Sequence, residues 1–74
     1  MSPDKLVYMA NQIGKFFVPQ RDGDPVAAIA DHLQKFWDPV MRHDFLAAAA
    51  KDNSSLHPAV KAALPILQAQ QEIK

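Results

Sequence analysis

The sequence predicts an all-α fold, a small three-helix bundle with a fourth, kinked helix at its C-terminus. Proline is favoured at the first position of a helix, where its missing N–H removes no hydrogen bond, and Ser or Asp before it caps the helix. Four prolines begin such segments, at Ser2-Pro3, Asp24-Pro25, Asp38-Pro39 and His57-Pro58. Apolar residues recur every three or four positions after each of them, and no segment alternates apolar and polar residues as a strand does.

The first three helices are expected over residues 3–18, 25–37 and 39–51, joined by short connections. The connection at Trp37-Asp38-Pro39 is so tight that the chain must turn there. Each helix has one apolar face, which predicts packing around a common core. The residues on these faces are Leu6, Met9, Ala10, Ile13 and Phe17, then Val26, Ile29, Ala30 and Leu33, then Met41, Phe45, Ala48 and Ala49.

The fourth helix is expected over residues 56–70. Its start is capped either by His57, which is a weak cap, or by a serine of Ser54-Ser55. Pro65 lies inside this segment, where a proline removes one helical hydrogen bond and clashes with the preceding turn. The helix is therefore expected to kink at Pro65 or to end near Leu64.

Size and charge restrict the classes of protein to which the chain belongs. The 74 residues suffice for one domain, 1–74, with a polar tail over 68–74 that is expected to fray. Eight basic and eight acidic residues give zero net charge, whereas nucleic-acid binders show a basic surplus. No apolar run is long enough to cross a membrane, and the first ten residues do not resemble a signal peptide. The absence of cysteine fits the cytoplasm.

The residue types that support catalysis or metal binding do not cluster in the sequence. The histidines, His32, His43 and His57, lack the short spacing of a zinc site. The serines lie at helix starts or in a loop, where capping explains them, and there is no glycine-rich phosphate loop. We expect a binding protein without catalytic, cofactor-binding or metal-binding residues.

Two segments concentrate residues that are common at protein interfaces. In the segment 36–42, Trp37 either fills the core between the second and third helices or anchors a partner, and both roles are compatible. The pair Phe16-Phe17 diverges by about 100° around the helix. If Phe17 faces the core with Ile13, then Phe16 faces outward and is available for docking.

Five segments occur at a characteristic spacing: Met9-Ala10-Asn11-Gln12-Ile13, Phe16-Phe17, Ala30-Asp31-His32-Leu33, Phe36-Trp37-Asp38-Pro39 and Met41-Arg42. Together with Leu56-x-Pro58-x-Val60, they resemble the delta subunit of the cytoplasmic, NAD-dependent, molybdenum-containing formate dehydrogenases. The resemblance extends over residues 5–63, and Pro65 departs from the family pattern. The candidate interface or structural anchors are then Asn11, Gln12, Phe16, Phe17, His32, Phe36, Trp37, Asp38, Pro39, Met41 and Arg42.

The resemblance implies a non-catalytic accessory subunit of a complex that oxidises formate to carbon dioxide and reduces NAD. It implies that partner subunits hold the bis-molybdopterin cofactor, the iron–sulfur clusters and FMN, while this chain binds none of them. The expected partner is the alpha subunit, with other subunits or a cofactor-maturation chaperone as alternatives. The expected role is molybdenum-cofactor maturation, stabilisation of the complex, or both.

Two alternatives from other functional classes remain open at this point. Three short helices with a tight turn are compatible with a helix-turn-helix nucleic-acid-binding domain, although the zero net charge disfavours phosphate binding. A free-standing homodimeric bundle would bury the same excess apolar surface as a subunit of a larger complex.

Overall fold

The computed structural model describes residues 2–20 and 23–72, without the side chains of residues 71 and 72. Four helices form the fold: α1 (Pro3–Phe17), α2 (Pro25–Phe36), α3 (Pro39–Lys51) and α4 (Pro58–Glu72). The described residues contain no strand, so the predicted all-α bundle is confirmed. None of the described helices is long and apolar enough to cross a membrane.

The first three helices begin with a proline at the first helical position, behind a residue whose side chain caps the helix. Each capping oxygen accepts one of the backbone N–H groups that have no partner inside the helix. The sequence therefore specifies where these helices start. The donors and acceptors are Lys5 N–H to Ser2 Oγ at 3.3 Å, Val26 N–H to Asp24 Oδ1 at 2.9 Å, and Met41 N–H to Asp38 Oδ1 at 2.8 Å.

Helix α4 begins at Pro58, two residues later than the predicted start. Its cap is His57, whose Nδ1 accepts a hydrogen bond from the Ala59 N–H at 3.1 Å. The serine alternative is wrong, because the Ser54 N–H instead donates to Asp52 Oδ1 at 2.9 Å within the preceding turn.

Helix α4 also continues through Pro65 to Glu72, so the expected end near Leu64 is wrong. Pro65 has no N–H to donate to the Lys61 carbonyl oxygen. Both residues are exposed. Solvent can satisfy that carbonyl, so the lost bond is less expensive than in a buried helix. Of the tail predicted to fray, residues 68–72 belong to the helix, and residues 73 and 74 lie outside the described part.

The core consists of apolar side chains from all four helices and from the two inter-helix connections at Trp37 and Leu56. Helix α4 packs mainly on α2, and α1 contacts the other three helices. Helix α1 passes close to α4 at Gly14, where an added Cβ would lie 2.8 Å from Val60 Cγ2. The buried apolar residues are Leu6, Ala10, Ile29, Ala30, Leu33, Trp37, Phe45, Ala49, Leu56, Val60, Ala63 and Leu67.

Candidate interaction surface

Four aromatic rings from α1 and α2 form a continuous surface, which we call the aromatic patch: Phe16, Phe17, His32 and Phe36. The Phe16 and Phe17 rings meet edge to face, with centroids 5.1 Å apart. Phe17 in turn contacts the His32 ring at 5.8 Å, again edge to face. His32 lies over Phe36, with centroids 4.7 Å apart and ring planes 35° from parallel. The patch therefore spans both helices.

The two ends of the aromatic patch are its most exposed parts. Phe16 is 63% exposed and Phe36 is 72% exposed, while Phe17 and His32 between them are half-buried. Taking about 200 Å² for each phenylalanine side chain, the two ends present on the order of 250 Å² of aromatic surface. Apolar patches of a few hundred Å² on a small protein are often functional.

Helical geometry explains why these rings point outward. Neighbouring residues diverge by about 100° around a helix, so Phe17 packs against the core beside Ile13 while Phe16 does not. On α2, the core side is occupied by Ile29 and Leu33. His32 and Phe36 are one turn apart on the adjacent side of α2, and this side faces the end of α1.

The patch contains one polar group, the imidazole of His32. Within the part of the chain that the structure describes, neither ring nitrogen of His32 has a hydrogen-bond partner. The adjacent charged residues on α2 neutralise each other, because Lys35 Nζ lies 3.2 Å from Asp31 Oδ2. Both of those side chains are more than half exposed, so the ion pair adds little stability.

The Trp37 corner between α2 and α3 is structural. The Trp37 ring is 6% exposed and meets the Phe45 ring edge to face at 5.5 Å. Asp38 caps α3 and Pro39 occupies its first position. Met41, one turn further on, is half-buried against the same core. The structure thus places Trp37 in the core rather than on the surface.

Arg42 closes the C-terminus of α2. Its Nη1 donates to the Gln34 carbonyl oxygen at 3.0 Å and also to the Trp37 carbonyl oxygen. The last carbonyls of a helix lack intrahelical donors, and a cation at this end interacts favourably with the helix dipole. The sequence indicated Arg42 as a candidate interface or structural anchor, but not which carbonyl groups it bonds. The sequence feature that could have indicated this role is a basic residue four positions after Asp38, in the turn between two helices.

Asn11 connects α1 to the segment before α4. Its Nδ2 donates to the Ser55 carbonyl oxygen at 2.9 Å, and its Oδ1 accepts from the His57 N–H at 2.8 Å. The adjacent Gln12 is exposed. Asn11 therefore has a structural role that nothing in the local sequence could indicate, because its partners lie 44 and 46 residues away.

A groove of about 450 Å³ lies between α1 and α3. Its lining includes Val7, Asp44 and Asp52. Hydrogen bonds from the Ser54 hydroxyl and backbone N–H lower the pKa of Asp52. No group of three or more His, Cys, Asp or Glu side chains among the described residues is arranged to hold a metal ion.

Comparison with protein families matches residues 5–64 to the NADH-dependent formate dehydrogenase delta subunit family, FdsD. The chain belongs to this family. The resemblance seen in the sequence is thereby confirmed, and membership in FdsD implies that the chain has partner subunits in a formate dehydrogenase complex. Searches of the curated proteins and of the solved structures give no match.

The FdsD match includes the whole aromatic patch, the Trp37 corner and the Asn11 connection. It covers α1 from its first turn, all of α2 and α3, and the first half of α4. It ends at Leu64, immediately before Pro65.

Proposed function

We propose that this chain is a non-catalytic accessory subunit that binds the alpha subunit of formate dehydrogenase through the aromatic patch. In this proposal it supports maturation of the molybdenum cofactor, stability of the complex, or both, in the cytoplasm. The bis-molybdopterin cofactor, the iron–sulfur clusters and FMN belong to partner subunits. The observation that supports the proposal is the exposure of Phe16 and Phe36 at the two ends of a connected aromatic surface.

The dimensions of the patch suit an anchor within a larger interface. A standard interface buries about 800 Å² on each partner, roughly one sixth of this chain's accessible surface of 4847 Å². The exposed rings of Phe16 and Phe36 supply about a third of that area. Binding energy usually concentrates in a few large side chains near the centre of an interface. The remaining contact area on this chain comes from the surface around the patch.

The environment of Arg42 does not favour the helix-turn-helix alternative. In that alternative α3 is the recognition helix, and Arg42 is its basic side chain for contacts with DNA. The Arg42 guanidinium is instead half-buried and bonded to carbonyl oxygens at the end of α2. Phosphate binding would require these bonds to break.

The proposal is tested by co-expressing the complex with Phe16→Ala, using Tyr8→Ala as the matched control. Tyr8 is on the same helix and is 62% exposed, but lies outside the aromatic patch. Phe16→Ala is expected to weaken co-purification with the alpha subunit by about tenfold or more, as for an interface anchor. Tyr8→Ala should co-purify like the wild type, and the free energy of unfolding of both variants should stay within about 0.5 kcal/mol of the wild-type value.

Deleting the chain separates its two candidate roles. The complex is first produced without this chain. Its molybdenum content and its rate of formate oxidation are then measured before and after the purified chain is added. If the molybdenum content is low and the added chain does not restore it, the chain acts in cofactor maturation. If the added chain restores activity, it acts by stabilising the complex. Full molybdenum content and turnover without the chain contradict the proposal. So does a chain that forms a homodimer and does not bind the alpha subunit.

A further inference from the structure

We propose that a pocket between α1 and the start of α4 binds a small monocarboxylate anion. The pocket has a volume of about 270 Å³, and its lining includes Gln12, Lys15 and His57. None of these residues belongs to the aromatic patch, so the proposal does not rest on the proposed function. It assigns a ligand site to the chain in addition to its surface for a partner subunit.

The Asn11 side chain holds the two sides of this pocket together. Its hydrogen bonds, to the Ser55 carbonyl oxygen and from the His57 N–H, place His57 against α1. Lys15 is one turn beyond Asn11 on the same side of α1. An added Cβ at Gly14 would lie 3.8 Å from His57 Cβ, so His57 is close to the part of α1 that carries Lys15. Both amide atoms of Asn11 are used in these bonds, and Asn11 therefore positions the pocket without binding the ligand.

His57 keeps one ring N–H available, because its other ring nitrogen is already an acceptor. Nδ1 accepts a hydrogen bond from the Ala59 N–H at 3.1 Å and so caps α4. A ring nitrogen that accepts such a bond carries no proton, so the proton of the neutral imidazole is on Nε2. Nε2 bonds to no residue in the part of the chain that the structure describes. The cap thus selects the tautomer that can donate to a ligand.

The charge of the lining favours an anion. Lys15 is the one side chain of fixed charge among the described residues that line the pocket, and its ammonium forms no ion pair within residues 2–20 and 23–72. The pocket also lies at the N-terminal end of α4, where the helix dipole favours negative charge. Gln12 adds a side-chain amide that forms no hydrogen bond to another described residue. A ligand therefore meets one cation and two neutral donors.

The donor set and the volume favour a monocarboxylate over larger or more highly charged anions. A carboxylate has two oxygens that accept several hydrogen bonds, and Lys15 alone balances its single charge. Pockets for drug-sized ligands occupy about 300–1,000 Å³, so 270 Å³ suits an anion of a few atoms. Formate, which a formate dehydrogenase oxidises, is the smallest such anion. A ligand of three non-hydrogen atoms reaches a Kd of about 1 mM at best, so binding in the millimolar range is expected.

NMR titration of the full-length chain with sodium formate tests the proposal. The ionic strength is held constant with sodium chloride, and a titration with sodium chloride alone is the reference. The backbone amide signals of Lys15 and His57 are expected to shift and saturate, with one Kd of about 1–50 mM. Shifts that do not saturate, or that match those in chloride, overturn the proposal. Inorganic phosphate that binds at least about tenfold more tightly than formate overturns the assignment to a monocarboxylate.

Lys15→Gln removes the cation and keeps a long polar side chain. It is expected to weaken formate binding by about fivefold or more, because the anion loses its one charged partner. The matched control is Lys35→Gln, since Lys35 is also exposed but lies on α2, outside the pocket, and pairs with Asp31. This control should bind formate like the wild type. Equal weakening in both variants would show that formate responds only to the overall charge of the chain, and overturns the proposal.

His57→Asp keeps a cap for α4 and introduces a negative charge in the pocket. Aspartate is a strong cap, and Asp24 and Asp38 already cap α2 and α3 in this chain. The variant should therefore unfold at the wild-type temperature, measured by circular dichroism. Its carboxylate repels formate and replaces the Nε2–H donor, so no saturable binding is expected. Formate binding of wild-type strength in folded His57→Asp overturns the proposal. If His57→Asp does not fold, the comparison of Lys15→Gln with Lys35→Gln decides.

Discussion

The Asn11 side chain accepts a hydrogen bond from the His57 N–H at 2.8 Å, joining α1 to the residue that caps α4, 46 residues away. The same side chain donates to the Ser55 carbonyl oxygen at 2.9 Å. His57 in turn caps α4 through its Nδ1. This one amide group of α1 therefore helps to hold the start of α4, a helix that packs mainly on α2.

Asn11→Ala removes both hydrogen bonds and leaves the half-buried His57 N–H without its acceptor. We expect a loss of about 1–3 kcal/mol in the free energy of unfolding, measured by urea denaturation. Asn11→Asp keeps the acceptor but places a carboxylate oxygen against the Ser55 carbonyl oxygen, so it should also lose stability at neutral pH. The exposed neighbour Gln12→Ala should change stability by less than about 0.5 kcal/mol. Equal stability of Asn11→Ala and Gln12→Ala would show that the bridge is not significant for folding.

Trp37→Ala removes the large ring that packs edge to face on Phe45 in the core. Truncating a buried aromatic residue costs about 3–5 kcal/mol, which in so small a domain is expected to unfold the free chain. The adjacent Phe36→Ala removes a ring that is 72% exposed, and should cost less than about 1 kcal/mol. Thermal unfolding followed by circular dichroism compares the two, and a folded Trp37→Ala chain would contradict the core role of the ring.

Gly14→Ala places a methyl group 2.8 Å from Val60 Cγ2, on a β-branched side chain with little freedom to move. Alanine gains about 1 kcal/mol of helix propensity over glycine, but overpacking costs about 1–3 kcal/mol. We expect a net loss of stability. In the double variant Gly14→Ala with Val60→Ala, the new methyl fills the space that Val60 leaves. The double variant should therefore be more stable than the sum of the two single losses predicts.

Ser54→Ala removes the strongest of the interactions that lower the pKa of Asp52. NMR titration of the Asp52 carboxyl should show its pKa moving up toward the ordinary value of an aspartate, while the Ser54 backbone N–H keeps part of the effect. Because the folded-state pKa lies below the unfolded one, the stabilisation from Asp52 is present above that unfolded value. It disappears as the pH falls through the folded pKa. An unchanged pKa would exclude the hydroxyl as its cause.

The sequence was sufficient to predict the helices, because the signals that begin them are local. Ser2, Asp24 and Asp38 each precede a proline and accept a backbone N–H within three residues. The divergence of Phe16 and Phe17 by about 100° also follows from helical geometry alone. These features can be predicted without knowing which helices pack together.

The remaining features depend on tertiary contacts. Whether Pro65 ends α4 depends on which face of that helix is exposed, and this is decided by packing against α2. The roles of Asn11 and Arg42 depend on carbonyl and N–H groups in other segments. For His32, the sequence identified a candidate anchor, and only the fold shows that the ring lies between Phe17 and Phe36.

The packing of α2 against α4 has a consequence for synthesis of the chain on the ribosome. Ile29 and Leu33 lie on the buried side of α2, and α4 is the principal helix packed on it. Residues 58–72 are translated after α2, so a nascent chain that ends at Lys51 exposes this apolar side to water. The aromatic patch needs only α1 and α2, but its supporting core is complete only after α4 has emerged from the ribosome. Assembly with a partner subunit is therefore expected to follow synthesis of α4 rather than precede it.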